Sequence, residues 1–484
     1  MWVNEDIVWQ TRMWVPSLEG RSPVRYLAIV EALADAIAAG ELRPGERLPT
    51  HRDLAWKLGL NVSTVTQAYR EAARRHLVSG EVGRGTYVLA ASREAALFGL
   101  KAVAAAHGEP GGPAPIDLST NVPAVDPDSA DLAAALAAVA AEGRIDAALA
   151  YHSPALLRRA GIAGAAWLAA RGLHLRPADV VPCAGAQAAL TAVLLQLCAP
   201  GDPVLVEDLA FPGLKAAARW LRLPLHGVAM DGEGVLPGAL DRAARATGAR
   251  VAVLVPNLQN PTGAVMGLAR QAEIAAVARR HGLWLVEDDA YGALADRPPL
   301  VALVPEQGVL VTSLSKTVAA GLRFGLIAGA CAPVRDLAGQ IHATSWPLAP
   351  LMGEVACRWI EDGTAARRLA WQRAEIAARH GQARRALPGL AAPDLVPGPH
   401  LWLPQDDAGA AAARCLAAGV EVVAADVFAV TREAPQGLRL SLAAAGSRAE
   451  LAEALARLRG VLGVQNGSSE SLSVSRSENT VPSP

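Results

Sequence analysis

The spacing of apolar residues predicts an α/β architecture for most of the chain. From about residue 116 to about residue 464, short apolar runs alternate with Ala/Leu-rich stretches of helical period. Three of these runs are Asp202–Asp208, Arg250–Asn257 and Leu283–Asp289. Short buried strands that alternate with helices are typical of parallel sheets. We therefore expect a body at 116–464 with a mostly parallel central sheet.

Residues 22–90 follow a helical pattern instead. Apolar residues at helical spacing predict a first helix over Tyr26–Gly40, ending at a glycine of the kind that closes helices. Thr50, with Asp53 three residues later, predicts the capped start of a second helix.

A third helix should follow, capped by Asn61 or Ser63, and then two short strands joined at Gly83-Arg84-Gly85. Three helices and a β-wing are the order of a winged helix-turn-helix, whose third helix lies in the DNA major groove. Ten Lys/Arg and seven Asp/Glu over 21–90 give a local charge of +3, against −1 for the whole chain. The alternative is a small helical dimerisation domain.

Three further segments are separated by composition. Residues 1–21 form an N-terminal arm, and a Gly/Pro-dense stretch at His107–Asp117 marks the end of a linker over 91–115. The tail at 465–484 is rich in serine and poor in large apolar groups. Such a tail buries too little surface to offset its ordering entropy, so we expect it to be disordered.

Composition restricts the class of protein. With 484 residues, 52% of them hydrophobic and 19% charged, the chain should form two or three globular domains. The five cysteines are scattered without metal-ligand spacing, which predicts a reducing compartment with neither disulfides nor bound metal. We see no signal peptide and no uncharged apolar run of about 18 residues, so we expect a cytoplasmic protein without a membrane span.

Three short motifs carry the chemistry. Asn260 lies in NLQNPTG, Asp288 in VEDDAY and Lys316 in SLSK, each after a predicted strand. The intervals are equal, since 288 − 260 = 28 and 316 − 288 = 28, about one βα unit each. Ligands of open α/β sheets bind where the carboxyl ends of the strands lie. We therefore expect the three motifs to form one site.

Pyridoxal 5'-phosphate is the cofactor that needs these groups together. The Lys316 amine can form a Schiff base with its aldehyde, and Asp288 can hold its pyridinium nitrogen. Asn260 and Tyr291 can donate hydrogen bonds to the phenolate oxygen of the ring. Phe211 is a candidate to stack on the ring face.

The phosphate of this cofactor needs cationic and hydroxyl partners. Ser313 and Arg323 lie on the same loop as the lysine. A small-residue turn opens a predicted helix further back, and the amides of Gly185, Ala186 and Gln187 there suit a phosphate at a helix N-terminus.

Over about 350 residues this region resembles the fold-type I aminotransferases, the aspartate aminotransferase superfamily. The resemblance implies that Arg439 in GLRLSLA grips a carboxylate, for which the bidentate guanidinium is suited. It also implies that Tyr151 reaches the cofactor phosphate of a second subunit, and hence a homodimer. Leu209-Ala210-Phe211 replaces a frequent Pro-Gly-Tyr, and Ala320 stands where proline is common.

The first segment resembles the GntR type of winged helix over about 65 residues, through its LP..R.LA..LG....TV..AY pattern and G.GT.V wing. By that resemblance Arg52 contacts a phosphate or base, and Arg84 enters the minor groove. Residues expected to face the major groove are Ser63, Thr64 and Thr66. Val62 stands where many family members have arginine, and valine cannot make the bidentate contact to guanine.

Together the two regions resemble the MocR/PdxR subfamily of transcription regulators. The resemblance implies a winged helix-turn-helix that reads a double-stranded operator, fused to an aminotransferase-like body that senses the cofactor or an amine or amino acid. A working aminotransferase with an auxiliary head remains the alternative, because Lys316, Asp288 and Arg439 are all present. A cofactor-storage or scaffold protein is a third reading.

Overall fold

The computed structural model describes thirteen stretches and one single residue of the chain. They are residues 14–18, 21, 24–38, 41–42, 48–74, 77–81, 85–88, 115–126, 129–151, 153–295, 297–343, 347–388, 396–431 and 433–462, with 21 as the single residue and 41–42 as the shortest stretch. The predicted linker up to residue 114, the predicted tail and Arg84 lie outside them.

The head consists of three helices and a two-stranded wing, as predicted. Its elements are α1 (Arg25–Ala38), α2 (His51–Leu58), α3 (Val62–Arg74), β1 (Val78–Glu81) and β2 (Gly85–Val88). The two strands pair antiparallel, with Val78 opposite Val88. Thr50 caps α2 as expected, because its side chain accepts a hydrogen bond from the Asp53 amide at 3.2 Å. Helix α3 begins at Val62, so Ser63 lies inside the helix and does not cap it.

The body contains eleven helices and fourteen strands among its described residues. In chain order the strands are β3 (Ile116–Asp117), β4 (Val180–Cys183), β5 (Val204–Glu207), β6 (Leu225–Val228), β7 (Met230–Asp231), β8 (Gly234–Val235), β9 (Val251–Leu254), β10 (Trp284–Asp288), β11 (Gly308–Ser313), β12 (Gly325–Ala328), β13 (His400–Pro404), β14 (Val420–Glu421), β15 (Val423–Ala424) and β16 (Gly437–Ser441). The helices are α4 (Asp131–Ala141), α5 (Pro154–Ala169), α6 (Ala186–Leu197), α7 (Pro212–Leu221), α8 (Pro237–Thr247), α9 (Leu268–His281), α10 (Ala332–Gln340), α11 (Pro350–Glu361), α12 (Thr364–Ala386), α13 (Ala408–Ala417) and α14 (Arg448–Val461).

Seven strands form the central sheet, in the order β4-β12-β11-β10-β9-β5-β6. Neighbours pair in parallel except on the two sides of β12, which is antiparallel to both β11 and β4. The mostly parallel sheet predicted from the apolar runs is therefore confirmed.

Both faces of this sheet are covered. Along β5 the side chains alternate, with Val204 and Val206 in one apolar cluster and Leu205 in another. Helix α6 packs on the first face through residues such as Leu190, and α9 packs on the second through residues such as Ile274. Each such side chain stabilises the fold by roughly 1.5–3 kcal/mol when it is fully buried.

Smaller sheets make up the rest of the body. Strands β13, β16 and β15 form an antiparallel sheet, and β3 pairs in parallel with β14, with Ile116 opposite Val420. The strand that begins the described body thus belongs to the C-terminal part of the fold. Among the helices of the described residues, none combines the length and apolar character needed to cross a bilayer.

Candidate functional site

The three predicted motifs lie side by side at one edge of the central sheet. Strands β9, β10 and β11 are neighbours and run in parallel, so their carboxyl ends meet. The loop with Asn260 follows β9, Asp288 is the last residue of β10, and Lys316 follows β11 by three residues.

A cavity of about 470 Å³ opens at this edge. It is lined by Ala186, Gln187, Leu190, Phe211, Gly213, Ala216, Val255, Asn260, Asp288, Ala290, Tyr291, Ser313, Ser315, Lys316 and Arg323. Most of the residues predicted to hold the cofactor are therefore together in one space of the size that small-molecule sites have.

Lys316 is the amine of this cavity. It is half-buried, and its Nζ donates a hydrogen bond to the main-chain oxygen of Asn121. Burial and the positive charges of Arg439 and Arg323 lower the pKa of Lys316 to about 8, while Asp288 opposes them. With a pKa of about 8, roughly a tenth of the Lys316 amine is neutral and nucleophilic at pH 7.

Asp288 supplies a carboxylate at the end of β10. It is 8% exposed and accepts a hydrogen bond from the Ala290 amide at 3.1 Å. Burial raises the pKa of Asp288 to about 6, and the neighbouring charge of Asp289 adds to the rise, while Lys316 and the Ala290 amide lower it. The group is thus ionised above that pH and suited to a protonated ring nitrogen.

Tyr291 and Asn260 both line the cavity. The Tyr291 hydroxyl oxygen accepts a hydrogen bond from Asn121 Nδ2 at 3.0 Å, and burial raises the pKa of Tyr291 to about 12. Asn260 Oδ1 accepts a hydrogen bond from Arg439 Nη1 at 2.9 Å, which leaves its amide nitrogen as a donor.

Residues at the start of α6 and near Lys316 are suited to a phosphate. Helix α6 begins after Gly185, whose φ of 91° favours glycine, and a Cβ there would lie 2.7 Å from Arg323 Nη2. Arg323 Nη2 donates to the oxygen of Ala184 at 3.3 Å. The Ser315 hydroxyl is buried and has no hydrogen-bond partner among the described residues. An unpartnered donor beside a helix N-terminus and an arginine fits the phosphate of pyridoxal phosphate.

Further carboxyl groups are buried at the ends of β5 and β10. Burial raises the pKa of Glu207 to about 8, and burial together with the charge of Asp289 raises that of Glu287. Arg171 forms a buried ion pair with Asp289. The raised pKa values favour the protonated, uncharged form of Glu207 and Glu287 near neutral pH.

Three predicted residues of the body lie outside the lining of the cavity: Gly185 immediately before α6, Arg439 and Tyr151. Arg439 is 4% exposed, and its guanidinium donates to Asn260 Oδ1 and to the main-chain oxygen of Ser119. Tyr151 is 74% exposed on the surface of the body. Their predicted roles, with carboxylates and with a second subunit, remain predictions.

Sequence reasoning missed three residues of the site. Ser315 lies inside the SLSK motif, so the motif itself could have identified it. Asn121 contacts both Lys316 and Tyr291, and buried His400 contacts Asn121. Neither Asn121 nor His400 belongs to a recognisable motif.

In the head, Arg52 is exposed in the first turn of α2, and Ser63 and Thr64 lie in the first turn of α3. Thr66 is half-buried, and its Oγ1 donates to the Val62 oxygen at 2.9 Å and lies 3.1 Å from His51 Nδ1. These contacts hold the Thr66 hydroxyl inside the head. The contacts of all these residues with DNA remain predictions.

Comparison with known proteins identifies both regions. The family model for aminotransferase class I and II matches residues 113–458, and the model for bacterial regulatory proteins of the gntR family matches residues 25–88. The order and nature of the two regions inferred from the motifs are thereby confirmed.

Two curated relatives extend over most of the chain. The HTH-type transcriptional regulator YdeF of Bacillus subtilis is 28% identical over 464 residues, which cover 93% of this chain and 96% of YdeF. The vitamin B6 salvage pathway transcriptional repressor PtsJ of Salmonella typhimurium is 31% identical over 432 residues, which cover 86% of this chain and 93% of PtsJ.

A solved structure shares the fold of the body. An archaeal alanine:glyoxylate aminotransferase superposes with a TM-score of 0.68 at 20% identity, covering 81% of this chain and 98% of that enzyme. At this identity the likeness concerns the fold alone. It confirms the aminotransferase-like, fold-type I architecture.

Proposed function

This chain belongs to the MocR/PdxR subfamily of GntR-type transcription regulators, and we propose from this premise that it regulates transcription through pyridoxal 5'-phosphate held at Lys316. The observation that carries the proposal is the cavity in which Lys316, Asp288, Tyr291 and Arg323 converge. Relatives whose names refer to vitamin B6 or pyridoxine, PtsJ and PdxR of Corynebacterium glutamicum, support it.

When bound, pyridoxal phosphate supplies an aldehyde that condenses with primary amines and a pyridine ring that withdraws electrons. Lys316 would hold the aldehyde carbon, since its pKa of about 8 leaves a neutral amine available. Asp288 would pair with the ring nitrogen. The Asn260 amide and the Tyr291 hydroxyl would donate to the ring oxygen.

The phosphate would lie at the start of α6. There the amides of Ala186 and Gln187 and the Arg323 guanidinium offer donors, and Ser313 and Ser315 line the same cavity. The Gly185 amide, also predicted to bind the phosphate, donates to the main-chain oxygen of Cys183 at 2.9 Å, so it would have to exchange this bond for one to the phosphate. Phe211 lines the cavity as well and would pack against the ring. A helix N-terminus and a cation together favour a dianion over a neutral group.

The ligand that the regulator senses is an amino acid or a related amine. Its amine would compete with Lys316 for the cofactor, and its acid group would pair with Arg439. The acid group must displace the two oxygens, of Asn260 and Ser119, that Arg439 contacts. A ligand without an acid group gains nothing from Arg439 and should therefore be rejected.

The functional unit would be a cytoplasmic homodimer bound to a double-stranded operator. Exposed Tyr151 would reach the cofactor phosphate of the second subunit, as the resemblance to aminotransferases implies. Two heads on one dimer would read two half-sites, through Arg52 and the start of α3.

Absorption spectroscopy tests the cofactor assignment. Purified protein should bind pyridoxal phosphate with a visible band, and borohydride should fix the cofactor to the peptide that contains Lys316. Lys316→Ala should abolish this band, whereas Lys215→Ala, which alters another lysine of the body, should keep it. An unchanged visible band in Lys316→Ala would overturn the proposal.

A working aminotransferase is the second candidate, because Lys316 and Asp288 line the cavity and Arg439 contacts Asn260, which lines it too. Assay of an amino donor with a 2-oxoacid, run beside a gel-shift assay on the DNA upstream of the gene, separates the two. We expect ligand-dependent DNA binding without turnover. Turnover without DNA binding would favour the enzyme.

A further inference from the structure

Asn121 links residues that come from different parts of the body. Its main-chain oxygen accepts a hydrogen bond from Lys316 Nζ, and its side chain lies between Tyr291 and His400. The distances from Nδ2 are 3.0 Å to the Tyr291 hydroxyl and 3.1 Å to His400 Nδ1. Asn121 is 6% exposed and His400 2%, so water does not compete for these contacts.

The direction of every hydrogen bond in this chain of contacts follows from one carbonyl group. His400 Nε2 lies 2.8 Å from the main-chain oxygen of Gln259, which can only accept, so Nε2 carries a proton. Burial and the charge of Arg439 lower the pKa of His400 to about 3, so the ring is neutral. Nδ1 of a neutral ring protonated at Nε2 must accept.

Asn121 must therefore present its amide nitrogen to His400, since a carbonyl oxygen could not donate to Nδ1. The second proton of the same nitrogen points to the Tyr291 hydroxyl oxygen, which accepts it. The hydroxyl proton of Tyr291 is then left for an acceptor on the cavity side, where Tyr291 is part of the lining.

We propose that Asn121, held by His400, is a positioning residue that turns the Tyr291 hydroxyl proton toward the ring oxygen of the bound cofactor. The inference rests on the proposed function, since it presumes that pyridoxal phosphate occupies the cavity. Without Asn121, the Tyr291 hydroxyl can rotate about its C–O bond and donates to the ring oxygen for only part of the time.

The pH titration of the visible band of the bound cofactor tests this inference. A donor to the ring oxygen stabilises the deprotonated cofactor, so weaker donation raises the pH at which the band titrates. Asn121→Ala should raise that apparent pKa by about half to one pH unit. Asn121→Asp, which keeps the shape but can only accept, should raise it at least as far.

A double-mutant cycle distinguishes a positioning role of Asn121 toward Tyr291 from a general loosening of the loop that carries Asn121. In the Tyr291→Phe background Asn121→Ala should cause no further change, because the hydroxyl that it orients is gone. Gln372→Ala is the matched control. Gln372 holds the same loop through the main chain of Ala124, so this variant loosens the loop without touching Tyr291 and should leave the titration at the wild-type pH.

Two results would overturn the inference while leaving the cofactor assignment intact. One is a wild-type titration in both Asn121→Ala and Asn121→Asp. The other is a change on Asn121→Ala that persists in the Tyr291→Phe background. Absence of the visible band from the wild-type protein would instead overturn the proposed function, and this inference with it.

Discussion

Replacing Glu207 with glutamine should change how the stability of the protein depends on pH. Glu207 ends β5, is 2% exposed, and accepts hydrogen bonds from Gln259 Nε2 at 3.1 Å and from the Val255 amide at 3.4 Å. Burial outweighs these two donors and raises the pKa of Glu207 from 4.5 to about 8. The unfolded chain has no such burial, so its Glu207 titrates near the ordinary value.

The sign follows from proton binding. Between pH 4.5 and about 8 the folded protein keeps a proton on Glu207 that the unfolded chain has lost, so the free energy of unfolding falls as pH rises. The fall is at most about 1.4 kcal/mol per pH unit, or about 4 kcal/mol between about pH 5 and about pH 8. The contribution of Glu207 protonation to the free energy of unfolding is fully present below the pKa of Glu207 in the unfolded chain. It is fully lost above the pKa of Glu207 in the folded protein.

Glutamine has nearly the same shape and does not titrate. Glu207→Gln should therefore gain stability relative to wild type as pH rises, by at most about 4 kcal/mol over that interval. Urea unfolding of the cofactor-free protein at a series of pH values measures the difference. Glu306→Gln, at an exposed glutamate, is the control and should follow wild type.

A difference between Glu207→Gln and wild type that stays constant with pH would refute the reasoning. It would mean that Glu207 is ionised in the folded protein at neutral pH, with a compensating cation nearby.

Three further predictions concern function. Arg439→Ala should raise the ligand concentration that gives a half-maximal change in operator binding by about tenfold or more, because a charged hydrogen bond to the ligand is lost. An unchanged ligand concentration would eliminate Arg439 as the acid-group partner. Arg52→Ala should weaken operator binding and lower its salt dependence by about one counterion, whereas Arg414→Ala in the body should do neither; equal affinities in both variants would contradict the assignment of Arg52 to the DNA interface. Gly185→Ala should weaken cofactor binding about tenfold or more, because φ is 91° and the new Cβ meets Arg323, while Gly232→Ala meets nothing within 4 Å and should bind as wild type. Equal cofactor affinities of the two glycine variants would show that the turn before α6 tolerates a side chain.

The sequence was sufficient to predict those residues of the site that directly follow the ends of strands. Asp288 and Lys316 could be placed because each follows an apolar run at a fixed, short distance, and the ends of neighbouring parallel strands must meet. The cap of α2 was predictable for the same reason: Thr50 and Asp53 interact locally, three residues apart.

Contacts between distant segments could not be predicted in this way. Asn121 and His400 are 279 residues apart and meet only because β3 pairs with β14 and β13 pairs with β16. The pairing of β3 with β14 has no signal in the apolar pattern, because each of these strands is two residues long. The side-chain direction of Thr66 depended likewise on His51, which belongs to another helix.

The pairing of β3 with β14 has a geometric consequence. The predicted linker joins the body at Ile116. This residue pairs with Val420 of the C-terminal part of the body and does not belong to the seven-stranded central sheet. Five residues further along the chain (121 − 116 = 5), Asn121 supplies the main-chain oxygen that Lys316 contacts. Five extended residues span at most about 17 Å. The point at which the predicted linker enters the body therefore lies, along the chain, within about 17 Å of the main-chain oxygen that Lys316 contacts.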